Sequence, residues 1–538
     1  MKIPVIDLFA GPGGLSEGFS RSREVDFRIT ISIEKDAMAH ETLRLRAAYR
    51  ELMRNPKSTE QDWCLWDDFV ERNPWQTLFS ALQGSSSKAV RDACFVANQE
   101  ARQLELGPQN RDMITKEIRK SLLPYQSGRN FPSNTVLIGG PPCQAYSVVG
   151  RARNKGQEGY VAEKDNRHFL YLEYLHVISE FKPAVFVMEN VKGILSSKVN
   201  DGNIFHRILD DLRNPSQLKA RKDGSEYVLL PLVESKSPDT QSPEDFIVKA
   251  ELFGIPQARH RVIILGIRRD VYDRVKSHPK LQQSKKLSVN HVIDDLPSLS
   301  PEVSKRGAGI NFNDALLLPI FDQAICELER SGTKLNNEIA GLMKKLRAEL
   351  RLRKSNPGPG RDRIRFVPRA RKKSLLSMNE WYKDRNTNLI TNHESRSHMP
   401  SDLVRYMFVS AYGKIAGESP RLKDFPKSLL PAHKNVIPEK LTESIFNDRF
   451  RVQIGSRYST TITSHIAKDG HAFIHYNPKQ CRSLSVREAA RLQTFPDTYV
   501  FLGNRTAQYT QVGNAVPPKL ANQIADVVAS ILKQAGLL

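Results

Sequence analysis

Short apolar runs alternate with longer amphipathic stretches through the first half of the chain. Residues 3–9, 29–33, 136–138, 184–188 and 262–266 are largely apolar and are bounded by glycine or charged residues. Runs of this length are typical of strands that are buried on both faces of a parallel sheet. The intervening stretches place apolar residues at helical spacing. The pattern therefore predicts an α/β fold with a mostly parallel sheet.

The alternation breaks in two places, which divides the chain into regions. From about residue 48 to 125 apolar residues fall at helical spacing among Arg, Glu, Gln and Ala, which predicts a helical insertion. Residues 271–480 lose the strand–helix rhythm. We expect a first domain over 1–270, a smaller second domain over 271–480, and a segment 481–538 that returns to the first. The insertion is either a surface addition or a contact for DNA or protein.

The charge of the chain narrows the class of partner. The 538 residues carry a formal net charge of +22, which favours a polyanion. Nucleic acid is the commonest such partner, and an anionic membrane surface is the weaker alternative. Residues 361–373 form a dense basic run among Pro and Gly. This run predicts phosphate contacts, against the alternative of a solvated linker.

The five cysteines are scattered, without a CxxC pair or a nearby histidine pattern. We expect neither a zinc site nor a disulfide framework, and a reducing compartment. The N-terminus lacks a charged-then-apolar leader, and no apolar run reaches membrane-spanning length. The sequence therefore predicts a soluble intracellular protein with no membrane partner and no required metal.

A glycine turn follows the first predicted strand. Gly11, Gly13 and Gly14 lie between that strand and a predicted helix, an arrangement that brings bare backbone against a ligand. Glu34 ends the next strand about twenty residues later, a spacing that suits the hydroxyls of a ribose. The turn departs from GxGxxG, since Ser16 replaces the third glycine. The pattern favours a site for a nucleoside-bearing cofactor over a strand–turn–helix unit that binds no ligand.

A single cysteine ends the third predicted strand, in the sequence GGPPCQ. The glycines admit a close neighbour and the prolines stiffen the backbone, which predicts a rigid shelf that presents the Cys143 thiol at the sheet edge. A lone cysteine is more often a small buried hydrophobe. Because GGPPCQ is poorly suited to filling a core, we interpret Cys143 as a nucleophile. The basic, glycine-rich residues 144–166 then predict a lid over substrate, or an inert loop.

Two further groups belong to this edge of the sheet. Glu189, followed by Asn190, ends the strand over 184–188, where a carboxylate could equally be a helix cap. Arg259 and Arg261 precede a wholly apolar strand and share one side of it, because strand side chains alternate. Interior guanidiniums need anions or carbonyls as partners.

Six motifs occur in one order along the chain: DLFAGPGG, GGPPCQAYS, ENVKG, QARHRV, REAARLQTFP and QVGNAVPP. In their residues and in their order these motifs resemble those of the DNA cytosine-5 methyltransferase family. The resemblance implies a Rossmann-like S-adenosylmethionine-dependent methyltransferase fold with a separate target-recognition domain over 271–480. It implies methyl transfer from S-adenosyl-L-methionine to C5 of a flipped-out cytosine in a specific double-stranded DNA sequence, through a covalent adduct of Cys143 with C6.

The resemblance also assigns residues. The catalytic set is Cys143, Glu189, Arg259 and Arg261. The cofactor set is Asp7, Phe9, Gly11, Gly13, Gly14, Glu34, Lys35, Leu170, Asn514 and Val516. The DNA-substrate set is Pro142, Gln144, Asn190, Arg151 and Arg153. Two departures stand out: the acidic motif that contacts adenine is not recognisable, and Lys35 occupies a position that is often apolar.

The resemblance leaves alternatives for the activity and the partners. An RNA cytosine-5 methyltransferase of the same fold usually carries little recognition domain, and a catalytically silent DNA-binding relative would not need an intact Cys143, Glu189 and Arg259. We expect a monomer on double-stranded DNA, in the cytoplasm of a bacterium or archaeon and associated with the nucleoid. A cognate restriction or other defence system is a possible partner. The target sequence cannot be read from the residues, because base readout depends on side-chain geometry.

Overall fold

The computed structural model places the chain in two compact units. The first comprises residues 1–254, 259–285 and 515–538, and the second comprises 255–258 and 286–514. The structure describes residues 1–127, 131–142, 170–199, 202–215, 226–234, 242–304, 310–352, 357–365, 376–383, 385, 387–432, 436 and 448–538.

A mixed, mostly parallel sheet forms the centre of the first unit. Its strands are β1 (Lys2–Leu8), β2 (Asp26–Glu34), β3 (Ala101–Gln103), β4 (Val136–Gly139), β5 (Val185–Val191), β8 (Tyr227–Pro231), β9 (Ile247–Lys249) and β10 (His260–Arg268), while β6 (Lys198–Val199) and β7 (Gly202–Asn203) form a separate hairpin. Within the described residues the strand order is β3-β2-β1-β4-β5-β10-β8, with β9 beside β10. The strands from β3 to β5 pair in parallel, and β10 is antiparallel to its neighbours. The predicted α/β class with a mostly parallel sheet is confirmed.

Helices cover this sheet because their apolar faces match its buried strands. They are α1 (Gly14–Ser20), α2 (Ala37–Arg54), α3 (Glu60–Arg72), α4 (Trp75–Gln83), α5 (Lys88–Glu100), α6 (Arg111–Leu122), α7 (Tyr171–Phe181), α8 (Ile204–Arg213) and α9 (Arg269–Tyr272). The central strands β1, β4 and β5 are almost fully buried, apart from their ends. Parallel pairing aligns the carboxyl ends of β1, β2, β4 and β5 along one edge.

The interval 48–125 is not the single helical insertion that the sequence predicts. Strand β3 lies inside it and pairs with β2, so the interval also supplies part of the sheet. The added portion is α3 to α5, whose Trp63 and Trp66 rings lie 5.3 and 5.9 Å from the ring of Tyr49 on α2. Strand β3 escapes sequence analysis because it is three residues long and only one of them is apolar.

The second unit is mainly helical. Its elements are α10 (Val289–Ile293), α11 (Phe312–Ala315), α12 (Pro319–Arg330), α13 (Lys334–Arg351), α14 (Leu376–Tyr382), α15 (Pro400–Ala416), α16 (Val486–Leu492), α17 (Arg505–Asn514) and the antiparallel pair β11 (Gly360–Arg365) and β12 (Leu389–Glu394). Helices α12, α13 and α15 share one hydrophobic core.

The return to the first unit begins later than residue 481. Residues 481–514 belong to the second unit, where Arg482 and Glu488 form a buried ion pair with Nη2 and Oε1 2.6 Å apart. The returning helix, α18 (Pro518–Gln534), packs against α1. The Asn522 side chain donates to the Gly18 carbonyl at 3.1 Å, and a Cβ on Gly18 would lie 2.4 Å from the Cβ of Ala521. Glycine at position 18 is therefore required by this close helix contact.

Candidate functional site: the carboxyl edge of the sheet

The turn after β1 has an unusual backbone. Phe9, Gly11 and Gly13 all have positive φ angles, of 54°, 57° and 95°. For Phe9 this conformation is strained, and such strain is concentrated at functional sites. A Cβ on Gly11 would have no heavy atom within 4 Å, so the space above the backbone is open to a ligand. A Cβ on Gly14 would lie 2.2 Å from the Val516 carbonyl oxygen, so Gly14 is required by packing.

The Glu34 carboxylate is tied to this turn. Its Oε2 accepts a hydrogen bond from the Gly11 amide at 2.8 Å, and its Oε1 accepts one from the Asp36 amide at 2.8 Å. Burial raises the pKa of Glu34, although the two amides oppose that shift. The Glu34 carboxylate therefore lies at the glycine turn, and its predicted contact with a ribose stays a prediction.

Asp7 occupies a different environment from Glu34. It lies on β1 between Ser32 of β2 and Ile138 of β4, and its side chain is 0% exposed. Burial, only partly offset by the Ser16 hydroxyl and Arg50, raises the pKa of Asp7 to about 8. Asp7 is therefore neutral at pH 7 and lies beneath the turn, enclosed by protein.

An acid that sequence analysis missed lies beside Glu34. Glu105 follows β3, and its Oε1 is 3.3 Å from the Lys35 ammonium. The Leu104 amide donates to the Glu34 carbonyl at 3.1 Å, which brings this segment alongside the end of β2. Sequence analysis missed Glu105 because strand β3, which precedes it, was not recognised.

The end of β5 forms the second half of the edge. Glu189 Oε1 pairs with Arg261 Nε at 2.9 Å, and both side chains are about seven-eighths buried. Glu189 Oε2 would lie 3.0 Å from a Cβ on Gly140, so glycine there leaves room for the carboxylate. Asn190 donates to the Pro141 carbonyl at 3.2 Å. These contacts join β5 and β10 to the turn that follows β4.

Arg259 lies immediately before β10 and is 1% exposed. Burial, together with the charge of Arg261, lowers the pKa of Arg259, and burial also lowers that of Arg261. Two buried guanidiniums at one strand end require nearby anions or carbonyls, and Glu189 supplies one.

The other predicted site residues are distributed as follows. Pro142 is the last described residue after β4; Cys143, Gln144, Arg151 and Arg153 lie outside the described residues. Leu170 is half-buried at the start of α7, and Val516 is buried against Gly14. Asn514 is exposed at the end of α17 in the second unit.

The described residues contain neither a candidate metal-binding group nor a candidate membrane-spanning helix. No group of three or more His, Cys, Asp or Glu side chains could hold a metal ion there. Among the helices in those same ranges, none has the length and apolarity that spanning a membrane requires.

The sequence model of the C-5 cytosine-specific DNA methylase family matches residues 105–215 and 244–530. The chain belongs to this family. The predicted family and enzyme class, a DNA cytosine-5 methyltransferase, are thereby confirmed. The glycine turn lies before the first matched residue.

Curated relatives extend the likeness to the whole chain. Type II methyltransferase M.Bpa9945I of Bacillus paralicheniformis is 32% identical over 539 residues, which cover 98% of this chain and 99% of the relative. Type II methyltransferase M.DdeI of Desulfomicrobium norvegicum is 26% identical, with 99% of this chain and 90% of the relative covered. A solved structure from E. coli, assigned as a DNA modification methyltransferase encoded within a prophage, has a TM-score of 0.50 at 18% identity and covers 99% of each chain. That likeness supports the predicted methyltransferase fold.

Proposed function

We propose that this enzyme transfers a methyl group from S-adenosyl-L-methionine to C5 of a cytosine that is flipped out of double-stranded DNA, through a covalent Cys143 adduct. The observation that carries the proposal is the cluster of Glu189, Arg261 and Asn190 against the Gly140–Pro142 turn, directly before Cys143. A polar, mostly buried cluster at that position suits a neutral heterocycle that offers both donors and acceptors.

The glycine turn fits a nucleoside-bearing sulfonium. Open space above Gly11 admits the ligand, the half-buried Phe9 offers a ring for adenine, and Glu34 retains acceptor capacity for ribose hydroxyls. Glu105, with Lys35, is placed to contact the adenine edge in place of the acidic motif that the sequence lacks. Leu170 and Val516 would complete the pocket. S-adenosyl-L-methionine would supply an electrophilic methyl group there.

The protein's own groups would perform the following chemistry. The Cys143 thiolate would add to C6 of cytosine, which places an electron pair on C5. C5 would then take the methyl group as the methyl–sulfur bond of the sulfonium breaks and leaves a neutral thioether. Loss of the C5 proton to water would finally expel the thiolate. Glu189 would accept hydrogen bonds from the exocyclic amine and, once N3 takes up a proton, from N3, while Arg261 retains Oε1. Arg259 and Arg261 would orient the ring carbonyl and favour the thiolate. Pro142, Gln144 and Asn190 would shape the pocket.

Flipping a base out of the duplex costs a few kcal/mol, which contacts to phosphate can offset. Arg361 and Arg365 are exposed on β11, where a separation of four residues places them on the same face of the strand, and the chain has a net charge of +22. We assign target recognition to the second unit and further phosphate contacts to Arg151 and Arg153. The names of the type II relatives support a modification enzyme that accompanies a restriction or other defence system.

Transfer of a labelled methyl group to duplex DNA, single-stranded RNA or neither separates this proposal from its rivals. We expect label in DNA only, and sequencing that detects 5-methylcytosine should locate it at one recurring sequence. Label in RNA would replace the proposal with an RNA methyltransferase. Binding of DNA without any transfer would replace it with a silent relative.

A further inference from the structure

Four buried charged side chains lie beneath the glycine turn. Glu17 is on α1, Arg46 and Arg50 are on α2, and Glu100 is the last residue of α5. Their exposed fractions are 0, 4, 5 and 4%. Burial of charge is costly unless each group is well paired, so such a cluster constrains geometry strongly. None of these residues belongs to the six motifs' predicted site set.

The contacts within the cluster join three helices. Arg46 holds Glu17 through two bonds, Nε to Oε2 at 2.8 Å and Nη2 to Oε1 at 2.6 Å. Arg50 forms an ion pair with Glu100, and its Nη1 is 3.9 Å from Glu17 Oε2. Burial alone would raise the pKa of Glu17, but Arg46, together with Arg21 and Arg50, outweighs burial and lowers that pKa to about 2. Glu17 is therefore an anion that both Arg46 and Arg50 can reach.

The cluster connects the two sides of the candidate ribose site, which are the glycine turn and Glu34. Glu17 lies in the first turn of α1, directly after the glycine turn, and its amide donates to the Gly13 carbonyl at 2.9 Å. Helix α2 begins beside Glu34, where Asp36 caps it by accepting from the Ala39 amide at 2.9 Å. Because Glu34 also binds the Gly11 amide, the spacing of α1 and α2 determines where its carboxylate lies relative to the turn.

Glu100 connects this cluster to the added helices. It ends α5 and immediately precedes β3, whose Gln103 lies opposite Glu34 in the sheet. If Arg50 lost Glu100, its guanidinium would be left with Glu17 as the nearest remaining anion of the cluster and would compete with Arg46 for that carboxylate. The expected consequence is a shift of α1 against α2, and hence of Glu34 against the turn.

We propose that Glu100 is a positioning residue for the cofactor site, which acts through Arg50 and Glu17 and couples the added helices α3–α5 to the glycine turn. This inference rests on the proposed use of S-adenosyl-L-methionine. It gives the added helices a role in cofactor binding beyond surface decoration.

The test is Glu100→Gln, which keeps the shape of the side chain and removes its charge. Calorimetric titration with S-adenosyl-L-methionine should show binding weakened about tenfold, because small displacements of a binding group have large effects. The KM for cofactor should rise in step, whereas kcat at saturating cofactor and the Kd for DNA should stay within about twofold. Glu180→Gln on α7, whose partner Arg119 lies at 2.9 Å on the surface, is the matched control and should leave all four values unchanged.

A second substitution distinguishes positioning from simple loss of stability. In Glu100→Gln/Arg50→Met the Arg50 guanidinium that would compete with Arg46 for Glu17 is absent, so cofactor affinity should recover towards the wild-type value. Should Glu100→Gln fail to fold, Glu100→Asp keeps the charge one methylene further back and should show a smaller loss of affinity. Melting temperature is measured on every variant, and binding is measured well below it.

The outcomes separate the two proposals. Failure of the wild-type protein to bind S-adenosyl-L-methionine would overturn the proposed function. Normal binding by wild type together with unchanged binding by Glu100→Gln would overturn the coupling alone. The coupling would also be rejected if the loss of affinity disappeared after correction for the folded fraction, or if the double variant bound no better than the single one.

Discussion

Asp7→Asn should remove one component of the pH dependence of stability, because asparagine does not titrate. The change is isosteric and replaces a carboxyl group that is 0% exposed and neutral at pH 7 with an uncharged amide. The pKa of Asp7 is raised from 3.8 to about 8 by burial. Between those two values the folded protein therefore binds one proton more at this site than the unfolded chain does. Stability from Asp7 is fully present below the lower value and is lost as the pH rises towards the upper one.

The magnitude follows from linkage. One extra bound proton makes the free energy of unfolding fall by about 1.4 kcal/mol per pH unit. From pH 5.5 to 7.5 the wild type should therefore lose about 2–3 kcal/mol relative to Asp7→Asn. Buried His393 and His398, whose pKa values are lowered by burial to about 4 and about 3, give an opposite slope below pH 6.5. Comparison of the two proteins cancels that contribution, because both retain these histidines.

The measurement is equilibrium unfolding of both proteins at pH 5.5, 6.5 and 7.5, followed by tryptophan fluorescence. Three of the four tryptophans, Trp63, Trp66 and Trp75, are in the first unit, so the signal reports mainly on the unit that contains Asp7. Asp26→Asn, at an exposed acid of the same unit, is the control and should run parallel to wild type. Parallel curves for wild type and Asp7→Asn would refute the reasoning, as would a variant that loses stability relative to wild type as the pH rises.

The remaining predictions concern catalysis and packing. Cys143→Ser should fold and bind S-adenosyl-L-methionine but transfer no methyl group in the labelling assay; turnover near the wild-type rate would exclude Cys143 as the nucleophile. Glu189→Gln should lower kcat at least about 100-fold while the Kd for DNA changes little, since its bonds strengthen as the ring gains charge; a large loss of DNA affinity at normal kcat would remove Glu189 from catalysis. Gly14→Ala should lower the melting temperature and weaken cofactor binding, because the added Cβ would meet the Val516 carbonyl at 2.2 Å; unchanged values of both would contradict that contact. Arg491→Met should destabilise the second unit by about 3–5 kcal/mol in denaturant titration, because buried Asp497 and Asp295 would each lose an ion-pair partner; a loss below about 1 kcal/mol would show that these acids relax to solvent.

Much of the cofactor half of the edge could be predicted from local sequence. A strand of apolar residues, a glycine turn and an acid at the end of the next strand are short-range patterns, and parallel pairing then brings Glu34 to Gly11. Ser485 and Glu488 likewise have the sequence spacing of a capping box, and the structure contains that capping box. These features succeed because each depends on a few neighbouring residues.

The features that sequence analysis missed depend on partners far along the chain. Glu17 and Arg46 are 29 residues apart, and Arg50 and Glu100 are 50 apart, so no local pattern marks them as buried pairs. Residues 458–466 and 471–476 alternate in polarity as short strands do, yet they contain 3₁₀ turns and isolated bridges within the second unit. Strand β3 was missed for the same reason, because its three residues form a strand only by pairing with β2.

The six motifs that identify the family serve two different physical purposes. In the first unit Gly11 leaves open space above its backbone and Glu189 pairs with Arg261 at the end of β5, and we propose that both positions contact ligands. In REAARLQTFP the arginines are 0% exposed: Arg487 donates to the carbonyl of Thr391, and Arg491 pairs with Asp497 and Asp295. Equal recognisability therefore does not mean equal function. Substitutions of Gly11 and Glu189 should reduce cofactor affinity or kcat by more than any loss of folded protein explains, whereas those in REAARLQTFP should change stability first and activity only through loss of folded protein.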